Sequence, residues 1–237
     1  MTSIPMQETK RKEVRRMNLS KSLEFFDPIN DYEGAIHVIG IGAMGSRIAE
    51  LLVRLGIQRI HIWDFDIVED KNITNQLYFH HQIGMKKTDA LQEILKDINP
   101  TCEVKIHDKW EGQTLAGYVF LCVDSIELRH EITMNCKDNP KVKGMFDTRM
   151  RLEDAQSYAA DWTDETQKKM FISSMEFTDD EAKDATPVSA CGTTLSVAST
   201  VVSTAAFTVS NFINLIRKHK CKSMIFTNAF EHTIVTI

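Results

Sequence analysis

The stretch IHVIGIGAMGSRIAE, residues 36–50, joins a short apolar run to a glycine-rich turn and then to a helix-like continuation. Gly40, Gly42 and Gly45 fit the GxGxxG pattern, placed after a strand and at the opening of a helix. The first glycine of such a turn allows the tight bend, the second lets a phosphate approach the backbone, and the third lets helix and strand pack closely. The helix N-terminus adds free N–H groups and the positive end of a dipole. Alone, this pattern fits NAD, FAD or another nucleotide. The segment WDFDIVEDKNITNQ, residues 63–76, has to separate them.

Outward from the turn, apolar residues at Ile48, Leu51, Leu52 and Leu55 keep a helical period until Gly56 stops it. Residues 60–63, 104–106, 118–123 and 142–146 read as strands, and 86–98 and 126–136 as helices. Asn99-Pro100 closes the first of these helices. This alternation predicts an α/β fold, a Rossmann-like doubly wound and mostly parallel sheet with right-handed crossovers. Residues 150–186 are polar and acidic without a clear period, which predicts a long functional loop such as a lid. A long C-terminal helix from Thr194 and an antiparallel hairpin of residues 223–226 and 233–237 complete the chain.

Bulk properties bound the function. The 237 residues suffice for one large domain with a well-buried core, and 43% hydrophobic content excludes a disordered chain. A net charge of -5 offers no global attraction to DNA. Five separated cysteines, Cys102, Cys122, Cys136, Cys191 and Cys221, contain no CxxC pair and point to a reduced, cytosolic protein. The N-terminal residues are too charged for a secretion signal. Residues 187–216 carry no charge, but recurring Ser, Thr and Asn suit a helix buried in the fold or a subunit interface better than a membrane span. His80-His81 and the His219/Cys221 pair lack further ligands at metal-binding spacing, and Trp110 and Trp162 read as packing residues.

The chemistry is carried by a cluster. Asp64 ends the second strand, where a carboxylate accepts hydrogen bonds from ribose hydroxyls. Asn72, Asn75, Gln76 and Lys87 follow, and Asp124 stands at the C-terminal end of a buried strand, five residues before Arg129. One ribose carboxylate, one lysine, amides and a strand-end aspartate suit a triphosphate with Mg2+ better than a nicotinamide.

These segments, GIGAMG, DFDIVEDKNITNQ, GMKK and DSIELR, resemble the motifs of the ThiF/MoeB/HesA superfamily of ATP-dependent adenylyltransferases, which includes ubiquitin-activating enzymes. The resemblance covers residues 35–150; DTRM at 147–150 and SACGTTLSVAS at 189–199 are similar to compact bacterial and phage members. It implies ATP and Mg2+ as cofactors, with Gly40, Gly42 and Gly45 cradling the nucleotide and Asp64 on the ribose. Asp66 would share the nucleotide site, Asn72 and Gln76 would line the phosphate region, Lys87 would contact phosphates, and Asp124 would hold the metal. Asn75 stands where the family has an arginine, a lost phosphate contact that Arg47, Arg129 or Arg149 would have to replace.

The resemblance further implies a homodimer in which an N-terminal arginine, Arg16 before Arg15, reaches the partner's triphosphate; a solvated basic arm is the alternative. Residues 1–30 would then form a basic arm or helix, and 31–237 a single adenylation domain with its acidic loop at about 150–190. Cys191 is either a buried helix-start cysteine or a nucleophile that forms a thioester or persulfide. The implied reaction joins a carboxylate to AMP. The carboxylate belongs to a ubiquitin-like or sulfur-carrier protein, a small molecule or a modified tRNA base. A degenerate, non-catalytic nucleotide-binding subunit is the second reading, and a dehydrogenase the third. If phage-encoded, the protein would work in the host cytoplasm.

Overall fold

The computed structural model describes residues 17–184, 188, 195–218 and 221–237. Arg15, Arg16 and Cys191 lie outside them. The central sheet has eight strands in the order β3-β2-β1-β4-β5-β6-β7-β8. They are β1 (Ile36–Ile39), β2 (Arg59–Trp63), β3 (Glu103–His107), β4 (Gly117–Leu121), β5 (Val142–Met150), β6 (Asp154–Asp161), β7 (Met224–Asn228) and β8 (Thr233–Thr236). Neighbours from β3 to β5 run parallel, and β6, β7 and β8 add antiparallel pairs. The helices are α1 (Ala43–Arg54), α2 (Lys87–Ile98), α3 (Ile126–Cys136), α4 (Glu165–Ser173), α5 (Asp179–Asp184) and α6 (Ala198–Lys218).

Both sheet faces are covered, as a parallel sheet requires. Val119 and Leu121 of β4 pack with Ile132 of α3 and Phe171 of α4 on one face. Phe120 points to the other face, with Leu52 of α1 and Phe212 of α6. Phe212 meets the rings of Tyr118, Phe120 and Phe146 edge-on at centroid distances of 5.2, 5.7 and 5.8 Å. Such pairs add to the gain from area burial.

Helix α6 explains the uncharged segment. Its window Ala198–Arg217 has a mean hydropathy of 1.3, long and apolar enough to cross a membrane, yet 61% of it is buried in the fold. The hydroxyls of Thr200, Thr204 and Thr208 recur at helical spacing on its buried side. Thr200 donates to Leu152 O at 2.9 Å, Thr208 donates to Ser157 Oγ at 2.8 Å, and Thr204 lies 3.2 Å from the Thr227 hydroxyl. Val202, Ala206, Ser210 and Asn214 form the exposed stripe. Of the two readings of this helix, burial in the fold holds for most of its surface: the sheet takes its polar and aromatic face, and the stripe that remains outside is mostly small or polar.

The predicted acidic lid is also corrected. Strand β5 runs to Met150, and β6 returns along it from Ala155 opposite Met150 to Asp161 opposite Gly144. Helix α4 then starts at an aspartate cap, Asp164 accepting from Thr166 N at 2.8 Å and Gln167 N at 3.2 Å. Residues 150–184 are thus mainly sheet and helix.

Replacing Phe212 by Ala removes the ring that ties α6 to β4 and β5. The substitution should lower stability by about 3–5 kcal/mol, read from the urea midpoint with the far-UV spectrum unchanged before the transition.

Candidate nucleotide site

In the strand order, the crossovers reverse between β1 and β4, and open α/β sheets form a ligand crevice at that point. The glycine turn leaves β1 there. Gly40 has φ +83°, and a Cβ on it would stand 2.7 Å from Cys122 O, so the turn lies directly against the exit of β4. A Cβ on Gly45 would stand 1.9 Å from Gly40 O, so only glycine lets α1 start this close to the turn. Gly42 differs. Within 4 Å its Cβ would meet only Gln76 Nε2, at 3.9 Å, which leaves that flank open.

Asp64 fastens the turn. Its carboxylate accepts the Ile41 N–H and the Asp66 N–H, each at 2.9 Å. Ile41 O accepts the Tyr78 hydroxyl at 2.6 Å. Burial and the neighbouring Asp64 and Asp66 charges raise the Tyr78 pKa, so this phenol stays a donor. Ser46 Oγ accepts Leu77 N at 3.2 Å and stitches the same segment to α1. Tyr78 and Ser46 are part of the site's frame that sequence reasoning missed. The periodic signal marks them only as core.

Asp66 and Lys87 are brought together. The lysine Nζ lies 2.8 Å from Asp66 Oδ2, with the lysine side chain 8% exposed and the aspartate 52%. Asn72 is buried, and its Oδ1 accepts Glu69 N at 2.8 Å, which holds the short 3-10 turn Asp70–Thr74. Asn75 follows that turn, half-buried. Gln76 Oε1 and Arg47 Nε are buried without a hydrogen-bond partner.

Asp124 stands exposed in the turn between β4 and α3, two residues beyond Cys122. Two of the three expected substitutes for the family arginine are committed elsewhere. Arg129 and Arg149 both pair with the fully buried Asp147. Burial lowers each of these guanidinium groups to about 10, which leaves them charged at neutral pH. Arg47 remains, its Nη1 3.2 Å from Glu50.

Three histidines lie across the neighbouring strands, His37 in β1, His61 in β2 and His107 at the end of β3 beside Asp64. Asp64 N donates to His107 O at 3.2 Å. The His107 ring stacks on Trp63 at 3.9 Å, and its Nε2 is 3.0 Å from His61 Nδ1, so one proton serves both rings. Trp63 Nε1 donates to His37 Nδ1 at 3.3 Å. A recess lined by Trp63, Ile106, His107, Asp108, Lys109 and Glu111 opens next to this stack.

The ThiF family model matches residues 32–235. The chain belongs to the ThiF family. Among curated proteins it is similar to ubiquitin-like modifier-activating enzyme 5 of Caenorhabditis briggsae, 29% identical over 136 residues, which are 48% of this chain and 32% of that protein. The rice protein of the same name is 36% identical over 146 residues, 53% of this chain and 33% of that one. The aligned part is thus about a third of these relatives' length. Among solved structures, E. coli MccB superposes with a TM-score of 0.68 at 15% identity, covering 89% of this chain and 63% of MccB. E. coli MccB with ATP gives 0.66 at 16% identity, covering 89% and 65%. PaaA gives 0.67 at 15%, covering 86% and 64%.

The histidines generate a pH dependence. Burial, followed by the charges of His61 and His107, lowers His37 to about 3. Burial, then His107 and Lys105, lowers His61 to about 4. Burial and Lys105 also lower His107. Folded pKa values below the ordinary value near 6.5 mean that the unfolded chain takes up protons first as pH falls. Stability is full above about pH 6.5 and declines toward pH 4. Melting temperature should fall steadily over that range, and His37→Gln should show a shallower decline from a lower starting point. Equal slopes would contradict the assignment.

Proposed function

We propose that this chain binds ATP with Mg2+ at the glycine turn and adenylates a substrate carboxylate, the C-terminus of a ubiquitin-like or sulfur-carrier protein. The observation that carries the reading is the close approach of Gly40, in the glycine turn, to Cys122 and Val123 at the exit of β4, directly before Asp124 in the chain. Two further features support a triphosphate. Gly42 leaves an open approach to the N-terminus of α1, and the Gln76 amide beside it has an unanswered buried oxygen. Names among the relatives, ubiquitin-like modifier-activating enzyme and MccB with ATP, agree with this chemistry.

The carboxylate oxygen attacks the α-phosphorus, the bond to the β-phosphate oxygen breaks, and pyrophosphate leaves with the electron pair. No proton has to move, because the carboxylate is already ionised. The chain's residues orient and neutralise. The N–H groups at the N-terminus of α1, from Gly42 on, would meet the phosphates, Asp64 would hold the ribose, and Lys87 would turn from Asp66 toward phosphate oxygens. Asn72 and Gln76 line that side, and Arg47 is the cation left to stand in for the arginine absent at Asn75. Mg2+ would neutralise the phosphates, held by Asp124 together with phosphate and water oxygens. Among the described residues no three acidic, histidine or cysteine side chains form a metal site of their own, so the ion would take most of its ligands from phosphate and water oxygens.

The second reading is a non-catalytic nucleotide-binding subunit. Asn75, together with the commitment of Arg129 and Arg149 to Asp147, favours it. Pyrophosphate–ATP exchange with carboxylate substrates separates the two. Asp124→Ala should lose on the order of 10^2-fold of exchange with its fold intact, and calorimetry should show ATP binding that NAD does not displace. An Asp124→Ala protein with wild-type exchange would remove the metal role.

The protein is further proposed to act as a homodimer, on the arginine-rich arm and on the uncharged stripe of α6 that stays exposed at Val202, Ala206, Ser210 and Asn214. Light scattering should give twice the 27.0 kDa chain mass at tens of micromolar protein. Arg16→Ala should reduce exchange without changing that mass. A particle of one chain mass would exclude an arm acting in trans.

A further inference from the structure

Arg129 sits in the first turn of α3, five residues after Asp124, yet it is buried. An interior guanidinium has to satisfy a fork of donors, and this one grips backbone. Its Nη1 donates to Leu121 O at 3.2 Å, to Thr148 O at 2.9 Å and to the Asp147 carboxylate, and its Nη2 donates to Val123 O. The carbonyls of Leu121 and Val123 bracket Cys122 at the exit of β4. One side chain therefore ties that exit to β5 from beneath.

Asp147 keeps the guanidinium in place. It is fully buried and is taken from its other side by Arg149, through Nε at 2.7 Å and Nη2 at 2.6 Å. Arg149 is itself fixed by Ser174, at 2.6 Å to the carbonyl and 3.0 Å to the hydroxyl, and lies 4.5 Å from the Tyr158 ring centroid. The far end of the turn is held as well. Ser125 Oγ accepts Leu128 N at 3.1 Å, and Asp179 Oδ1 accepts Ile126 N at 2.5 Å. Between these anchors the Asp124 carboxylate is exposed.

We propose that Arg129, locked by Asp147, is a positioning residue that presents Asp124 to the metal–nucleotide complex. The inference rests on the reading that Asp124 holds the metal. A carboxylate on a fixed backbone has less freedom to lose when it binds an ion than one on a loose turn. A lysine at 129 keeps the charge, but a single ammonium cannot span acceptors on both strands in a planar fork. Asp147→Asn removes the charge that orients both arginines.

The test uses the full chain and a readout apart from turnover, water-proton relaxation by Mn2+ in the presence of ATP. Arg129→Lys and Asp147→Asn should each weaken Mn2+ binding by on the order of 10-fold. Metal-free ATP affinity, measured by calorimetry in EDTA, should stay within about twofold, since the glycine turn, Asp64 and Lys87 are untouched. If Arg129→Lys does not fold, Asp147→Asn alone decides. Wild-type Mn2+ affinity in a folded variant, while Asp124→Ala loses it, overturns the positioning role and leaves the metal assignment standing. Metal-free ATP affinity that falls in step with Mn2+ affinity also overturns it, because a merely structural pair would do that. Wild-type Mn2+ affinity in Asp124→Ala removes the metal assignment itself, and the positioning role with it.

Discussion

Gly40 carries no side chain because the backbone of β4 passes where a Cβ would be, and Gly45 carries none because the Gly40 carbonyl is in the way. These two contacts set the distance between β1, α1 and the exit of β4. Asp64 and Tyr78 then hold the N–H and C=O of Ile41, so the turn between the two glycines has little freedom left. Everything else in the crevice is placed relative to that fixed backbone. The α1 N-terminus faces the opening, Gln76 stands beside Gly42, and Asp124 follows two residues after the strand end that touches Gly40.

Cover for the sheet comes from two kinds of chemistry. Helix α1 presents an aliphatic stripe, whereas α6 adds to buried aliphatics such as Val201, Val209 and Leu215 an aromatic anchor and a row of hydroxyls. Burying a hydroxyl without a partner costs free energy, and those of Thr200, Thr204 and Thr208 each have one across the interface. Register along the sheet is set by Phe212, seated among Tyr118, Phe120 and Phe146, since a slip of one turn would take the ring out of that cluster.

The first half of the fold was legible because its signals are local. An apolar strand, a glycine turn and a helical period occur in sequence order, and all the strands and helices expected between residues 35 and 146 are found within one to three residues at nearly every end. Residues 150–184 were not legible as structure because β6, DAQSYAAD, buries Ala155, Ser157 and Ala159, too small and polar to register as a hydrophobic face. Helix α4 did carry a readable cue in Asp164 with Gln167 three residues later, where the amide also donates to the cap carboxylate at 3.1 Å. At the site, identities and spacing singled out the glycines, Asp64, Asp66 and Lys87, but not the internal partners that the structure gives them. Arg149 lies two residues from Asp147 on the same strand, but that Arg129 of α3 reaches the same carboxylate from 18 residues away is a long-range fact that residue spacing does not contain.

The pairing of Lys87 with Asp66 determines which ligands gain from this lysine. A buried ammonium without a counter-ion is expensive, and the half-exposed carboxylate removes that cost while the crevice holds no anion. A ligand must then out-compete a resident carboxylate rather than simply meet a free cation. On the proposed reading a nucleoside would offer nothing in exchange, whereas a polyphosphate with its charge spread over several oxygens would take the ammonium and let Asp66 relax into water. The ion pair would then act as a threshold set by ligand charge, selective before any contact to base or sugar is counted.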